Sequence, residues 1–310
     1  MIIHGNKQIS ERWYARKASE GGGAVRLTNI IRGAQVVFGG LVPNVKWLKA
    51  ATTQAILAAF GQDDGYAVLG ATNAYLNGIA ATDPTKASAL AGFINEDPML
   101  VCSLGLQPQG VEMPIRKLVS DGLSWIMTGV NASLTAGFEL DFELLSLSNK
   151  NCAINNVDYA SGNQSFGIGF WDSRWVYQYG AYTHQDTTKI GVIYHYLQKG
   201  GNFLLEDNEG FVRRLTRKAS SVIDTEMVFP GGRRNNSAVN SSAILKSSML
   251  KMYEGDTTLK HFIPFISQTR DGMIDLVNME FHPNQGTGHF TESYTLQDGV
   301  TPWTPLNQTT

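Results

Sequence analysis

Between residues 138 and 144 apolar and acidic side chains alternate without a break. Phe138, Leu140, Phe142 and Leu144 fall on one side, and Glu139, Asp141 and Glu143 on the other. A period of two places successive side chains on opposite faces of an extended chain, so this is a strand with one buried and one solvated face. The same signal, bounded by turn residues, recurs at 165–171, 174–179, 189–197, 201–206, 211–217, 222–229, 247–253 and 259–264. The connections carry Asp207-Asn208-Glu209-Gly210, Gly231-Gly232 and Glu254-Gly255-Asp256. Some ten short strands with a turn every ~8–12 residues predict a two-sheet antiparallel sandwich. No alternation of strands with helices interrupts it.

The pattern upstream is different. Residues 50–60 are rich in alanine, with Ala55, Ile56, Ala59 and Phe60 on one helical face. Asp83-Pro84 reads as an N-cap followed by a first-turn proline, from which Ala87, Leu90, Phe93 and Ile94 make a second apolar stripe. Asn95-Glu96-Asp97-Pro98 stops it, and Asp63-Asp64-Gly65-Tyr66 reads as a turn between the two helices. The first forty residues hold two strand-like runs, 8–16 and 25–38, joined through Ser19-Glu20-Gly21-Gly22-Gly23. The three-glycine connection predicts a hairpin or a flexible loop, and the piece is too small to fold alone. The expected class is mainly β, in three parts: a β segment at 1–40, a helical or mixed connector at 41–105, and a sandwich at 106–310.

Composition narrows the function classes. The net charge of −2 is spread evenly, and the densest basic stretch is Arg213-Arg214 to Arg217-Lys218. No basic face suited to nucleic acid is expected. No run approaches the roughly 18 apolar residues of a membrane span, so no membrane insertion is expected either. The start, Met-Ile-Ile-His-Gly-Asn-Lys, lacks a signal peptide's charged and apolar regions. Cys102 and Cys152 read as buried small apolar residues of a protein made in a reducing cytosol.

Five ordered stretches resemble the concanavalin A-like/laminin-G-like domain of tailed-phage appendage and virion proteins, notably those of gut-associated phages. Trp125-Ile126-Met127-Thr128-Gly129-Val130, at the end of 115–129, stands where that family has a Tyr-Ile-Asp-Thr-Gly phrase. Phe138 to Leu144 stands for its first long alternating strand, and Phe166-Gly167-Ile168-Gly169-Phe170-Trp171 for a glycine-punctuated one. Leu250-Lys251-Met252-Tyr253-Glu254-Gly255-Asp256 with Phe262-Ile263-Pro264 is the fourth. The fifth, the most specific, is Asp271-Gly272-Met273-Ile274-Asp275-Leu276-Val277 with Phe281-His282-Pro283-Asn284-Gln285-Gly286-Thr287-Gly288-His289-Phe290. Its Asp-Gly and Asn-x-Gly-Thr-Gly pieces are expected to be turns with positive φ. The N-terminal Met-Ile-Ile-His-Gly-Asn-Lys with Ile31-Arg32-Gly33-Ala34-Gln35-Val36-Val37 looks like the attachment hairpin of similar proteins. The helical insert departs from the pattern.

The resemblance implies a jelly roll, a place on the virion, and a head-fibre or tail-appendage role. It also implies docking to other virion proteins through residues 1–40, a homo-oligomer (a trimer suits such appendages), and a host glycan as an external ligand.

Two constellations suggest chemistry. Glu139-Leu140-Asp141-Phe142-Glu143 has the spacing with which retaining β-glucanases place nucleophile, helper and general acid along one strand. Any solvated strand face reads the same way, and the Trp-Pro-rich lead-in is missing, so the expectation is no enzyme, with a glycoside hydrolase as the alternative. The aromatic cluster around Asp172-Ser173 is the candidate carbohydrate site. There Trp175 and Tyr177 would stack on a sugar ring while Asp172 and Arg174 read its hydroxyls. Trp175, Tyr177 and Tyr179 share a face, which equally describes packing between sheets. The six histidines show no metal-binding spacing and no nucleotide loop occurs, so neither a metal nor a cofactor is expected.

Overall fold

The computed structural model of the protein describes residues 24–25, 42–43, 46–146, 151–156, 165–232 and 243–308. The runs expected at 8–16 and 25–38, and with them nearly all of the docking segment, lie outside the described residues. Within 1–45 the description is confined to β1 (Ala24–Val25) paired antiparallel with β2 (Val42–Pro43). The chain divides into two compact units, Met1–Pro114 with Trp303–Thr310, and Ile115–Pro302. The division thus falls at Pro114/Ile115 instead of 105/106, and the last residues group with the N-terminal unit.

The first unit is helical. Helix α1 is Ala50–Phe60, α2 is Gln62–Ala80 and α3 is Pro84–Glu96. Asp83 caps α3 as expected, its carboxylate accepting from the Lys86 amide at 2.9 Å. The turn expected at Asp63-Asp64-Gly65-Tyr66 is not there, because α2 runs straight through it. The break falls instead at Gly61, whose φ of +82° suits glycine. Asp63 and Asp64 sit in the first turn of α2, where carboxylates complement the helix dipole. Gly65 lets α2 approach α1 closely, since a Cβ there would lie 2.9 Å from Leu57. Ile56, Val68, Leu69, Leu76, Leu90 and Ile94 form the core of this unit. Asn95 ties its ends together, accepting from the Lys49 amide and the Thr52 hydroxyl and donating to the Trp47 carbonyl.

The second unit is the expected antiparallel sandwich, jelly-roll-like and mainly β. Its strands are β3 (Ile115–Val119), β4 (Ile126–Asn131), β5 (Ala136–Leu144), β6 (Asn151–Asn155), β7 (Ser165–Trp171), β8 (Arg174–Thr187), β9 (Ile193–Lys199), β10 (Asn202–Asp207), β11 (Val212–Thr216), β12 (Glu226–Phe229), β13 (Leu245–Glu254), β14 (Thr257–Ile266), β15 (Asp271–Asp275), β16 (Glu280–Pro283) and β17 (Thr291–Thr295). Ten belong to one sheet, ordered β11-β10-β9-β5-β13-β14-β15-β16, with β3 on β13 and β17 on β3. Five form the other, β4-β12-β6-β7-β8. Phe138, Leu140, Phe142 and Leu144 point between the sheets and are buried, as the alternation of β5 requires. Phe138 meets Phe166 edge-on at 6.0 Å and Phe142 meets Trp175 at 5.6 Å, so aromatic pairs bridge the layers.

Edge strand β11 is protected from stray pairing. Arg213 points inward on this edge and reaches β8, where it bonds to Asp186, and Arg217, just past the end of β11, bonds to Thr183.

Candidate functional site

The aromatic candidate comes apart in the structure. Trp175 and Tyr177 are buried at 0% exposure in the inter-sheet core. The Trp175 indole is enclosed edge-on by Phe142, Phe170 and Tyr194. Asp172 and Arg174 are exposed at the tight turn joining β7 to β8. There Asp172 and Ser173 both take positive φ, 50° and 59°, as a two-residue hairpin turn requires. The four residues therefore do not form one site. Position along β8 decides this: Asp172 and Arg174 lie at the exposed turn, whereas from Trp175 onward both faces of the strand are covered, Val176 and Gln178 being as buried as Trp175 and Tyr177.

The acidic face of β5 is half-buried, with every carboxylate engaged by a neighbouring strand. Glu139 lies opposite Lys251, Asp141 opposite His195 and Glu143 opposite Lys246. Glu139 accepts from the Tyr253 hydroxyl at 2.5 Å and pairs with Lys251 at 3.6 Å. Asp141 meets His195 Nδ1 at 2.6 Å. Glu143 lies 3.3 Å from Lys246 and 3.8 Å from Lys117. The hydrogen bond that His195 donates to Asp141 raises the His195 pKa, while burial lowers that of Lys117 against the pull of Glu143. Each oppositely charged cross-strand pair contributes roughly 0.2–1 kcal/mol. Such a ladder ties β9, β5 and β13 together side by side.

A second cluster joins Asp275, Glu280 and His282, whose ligand atoms lie within 4.8 Å of one another. The ammonium of Lys260 already serves these carboxylates, at 3.1 Å from Asp275 and 2.9 Å from Glu280. Asp275 is fully buried. Burial alone would raise its pKa, but the amides of His261 and Val277 and the Lys260 ammonium hold it below the usual carboxylate range. His282 Nδ1 is 2.9 Å from the Met127 carbonyl. The arrangement is an ion-pair network binding β14, β15 and β16.

The fifth family-like stretch is structural in detail. Asn284 accepts from the Trp125 and Gly286 amides and donates to Asp271 and to the Gly288 carbonyl. Asp121 accepts from the amides of Leu123, Ser124 and His289. The glycines of Asn-x-Gly-Thr-Gly are not at positive φ, contrary to expectation. They are required by close approach: a Cβ on Gly286 would lie 1.8 Å from the Leu123 carbonyl oxygen, and one on Gly288 would lie 2.0 Å from Asp121.

Sequence reasoning missed a cleft at one end of the sandwich. A cleft of about 540 Å³ opens where β4 leads into β5, where β13 turns into β14, and beside the connection from β11 to β12. Val222, Leu259 and Leu134 supply its apolar surface. Asn131, Ser133, Asp224 and Glu254 supply polar groups, with Ser220 and Ser221. The Asn131 amide donates to Asp224 at 2.9 Å, and the hydroxyls of Ser133 and Thr135 engage Glu254. No periodic or motif signal marks these residues, because three connections far apart in sequence bring them together.

No protein-family model matches the chain, and no curated protein matches its sequence. No helix among the described residues is long and apolar enough to cross a membrane.

Proposed function

We propose that the protein is a non-enzymatic structural subunit of a tailed-phage particle, a head-fibre or tail-appendage protein. In this reading its concanavalin A-like sandwich is carried outward to meet host-surface glycan, and its N-terminal segment docks onto other virion proteins. The observation that carries the non-enzymatic part is the ladder on β5. Glycoside hydrolysis needs one carboxyl as proton donor and another as nucleophile or base. Here Glu139, Asp141 and Glu143 are each bound to a cation or hydroxyl on an adjacent strand. The phage assignment is supported by the ordered resemblance across residues ~106–295, with which the mainly β sandwich is in keeping. The homo-oligomer belongs to the same reading.

The decisive experiment is a mass-spectrometric inventory of purified virions, with particles assembled on a chain lacking residues 1–40 as comparison. The full chain is expected in the particles and the shortened chain is expected to be absent. A full chain missing from the particles refutes the assignment. Release of reducing ends from a β-glucan by the wild-type chain, abolished by Glu139→Gln, refutes the non-enzymatic part.

A further inference from the structure

The residues bordering the cleft are chemically selective. Among the described residues that line it, none is Lys, Arg or His, while Asp224 and Glu254 bring two carboxylates. The hydrogen bonds that hold them come from neutral donors: the Asn131 amide on Asp224, and the Ser133 and Thr135 hydroxyls on Glu254. A carboxylate has about four acceptor sites, so these bonds orient both groups and leave lone pairs over. Phosphate, sulfate or uronate would meet two negative charges with no lining cation to offset them. An aromatic ring would find no aromatic side chain to stack on.

A saccharide without acidic groups matches each part. Its hydroxyls donate to carboxylates, and both donate to and accept from Ser133, Ser220, Ser221 and Asn131. Its C–H face covers Val222, Leu259 and Leu134. The volume falls within the range of roughly 300–1,000 Å³ usual for small-ligand pockets. The hydrogen bonds that hold the acceptors belong to the protein alone, so little ordering remains for the ligand to impose.

We infer that this cleft is a binding site for a neutral or amino saccharide, with Asp224 and Glu254 as its hydroxyl acceptors. It replaces the turn around Asp172 and Arg174 as the glycan contact. The inference deepens the proposed function and rests on its reading of the sandwich as the glycan-facing part.

The test is a glycan array carrying neutral, amino and acidic saccharides, probed with the full chain and with three variants. Asp224→Asn and Glu254→Gln keep shape while removing charge. Ser221→Trp fills the cleft from an exposed position, so it blocks the site without touching the core. Thermal unfolding confirms that each variant is folded. Binding of neutral or amino glycans is expected, weakened about tenfold or more, equivalent to 1.4 kcal/mol, by each variant. Arg174→Ala is expected to bind like wild type. Three results overturn the inference: no glycan bound, acidic glycans alone bound, or binding indifferent to all three cleft variants. The virion inventory reads separately. A chain present in particles that binds no glycan loses the cleft and keeps the structural role, whereas a chain absent from particles that binds through the cleft does the reverse.

Discussion

Replacing Trp175 with alanine separates a core residue from a sugar platform. The indole is fully buried, with ring centroids of Tyr194, Phe142 and Phe170 at 4.9, 5.6 and 6.3 Å. A Trp side chain buries some 150–250 Å², and at ~25 cal/mol per Å² the transfer contribution alone is about 4–6 kcal/mol, an upper bound. Measured truncations of buried Phe and Trp to Ala lie near 3–5 kcal/mol, with the remaining cavity included. For a unit spanning Ile115–Pro302, each kcal/mol moves the midpoint by about 2–4 °C, so a fall of roughly 6–20 °C is expected. Differential scanning calorimetry of wild type, Trp175→Ala and Arg174→Ala measures it. Arg174, exposed at the turn, should change stability by no more than about 0.5 kcal/mol. The reasoning fails if Trp175→Ala melts within about 2 °C of wild type, less than the smallest fall expected for a cavity of this size.

Three further outcomes follow from the same geometry. Lys260→Met leaves the buried Asp275 carboxylate without its ammonium and should destabilise by about 3 kcal/mol, read as a lower urea midpoint at unchanged slope. Gly286→Ala drives a methyl into the Leu123 carbonyl, so the melting temperature should fall, whereas Gly210→Ala, with open space around it, bears only the strain of its positive φ and should lose less. Asp186, held below the usual carboxylate range mainly by the Arg213 hydrogen bond, stabilises the fold above an unfolded pKa of about 3.9. That share is lost as pH falls through the lower folded pKa, so melting curves between about pH 5 and 2 should show a shallower acid slope in Asp186→Asn.

Much of the sandwich is legible in the sequence because its period is strict where one face is buried. The β5 alternation predicts both the core face and the acidic face that carries the ladder, and the apolar runs locate most strands to within a few residues. Strand ends are less legible. Residues 222–229 read as one strand, but only Glu226–Phe229 pair, since Val222 lies in a connection that borders the cleft. Strand β8 runs on to Thr187, past the aromatic positions that mark its start, and the partners that hold its far end, Arg213 on β11 and Arg217 just beyond it, lie far along the chain. Gly65 misleads for a related reason. A glycine after two aspartates is a turn signal locally, yet it is also what close packing of α2 on Leu57 demands, and packing wins.

The candidate site shows the same division between local and distant causes. Trp175 and Tyr177 attract attention because aromatic residues stack on sugars, but adjacency in sequence sets face and not exposure. That the Trp175 face of β8 is covered is the work of β5 and β9, whose Phe142 and Tyr194 close over the indole. The cleft has the opposite history. Asn131 and Glu254 are ordinary polar residues at the ends of β4 and β13, Asp224 lies in the connection before β12, and each alone reads as a solvated turn. They become a set because β4 pairs with β12 while β13 turns back into β14, bringing three connections to one end of the sandwich. A strand-borne motif is visible to a reader of one segment. A site made by strand ends becomes visible once the pairing order is known, and for this chain that is where its recognition chemistry should be sought.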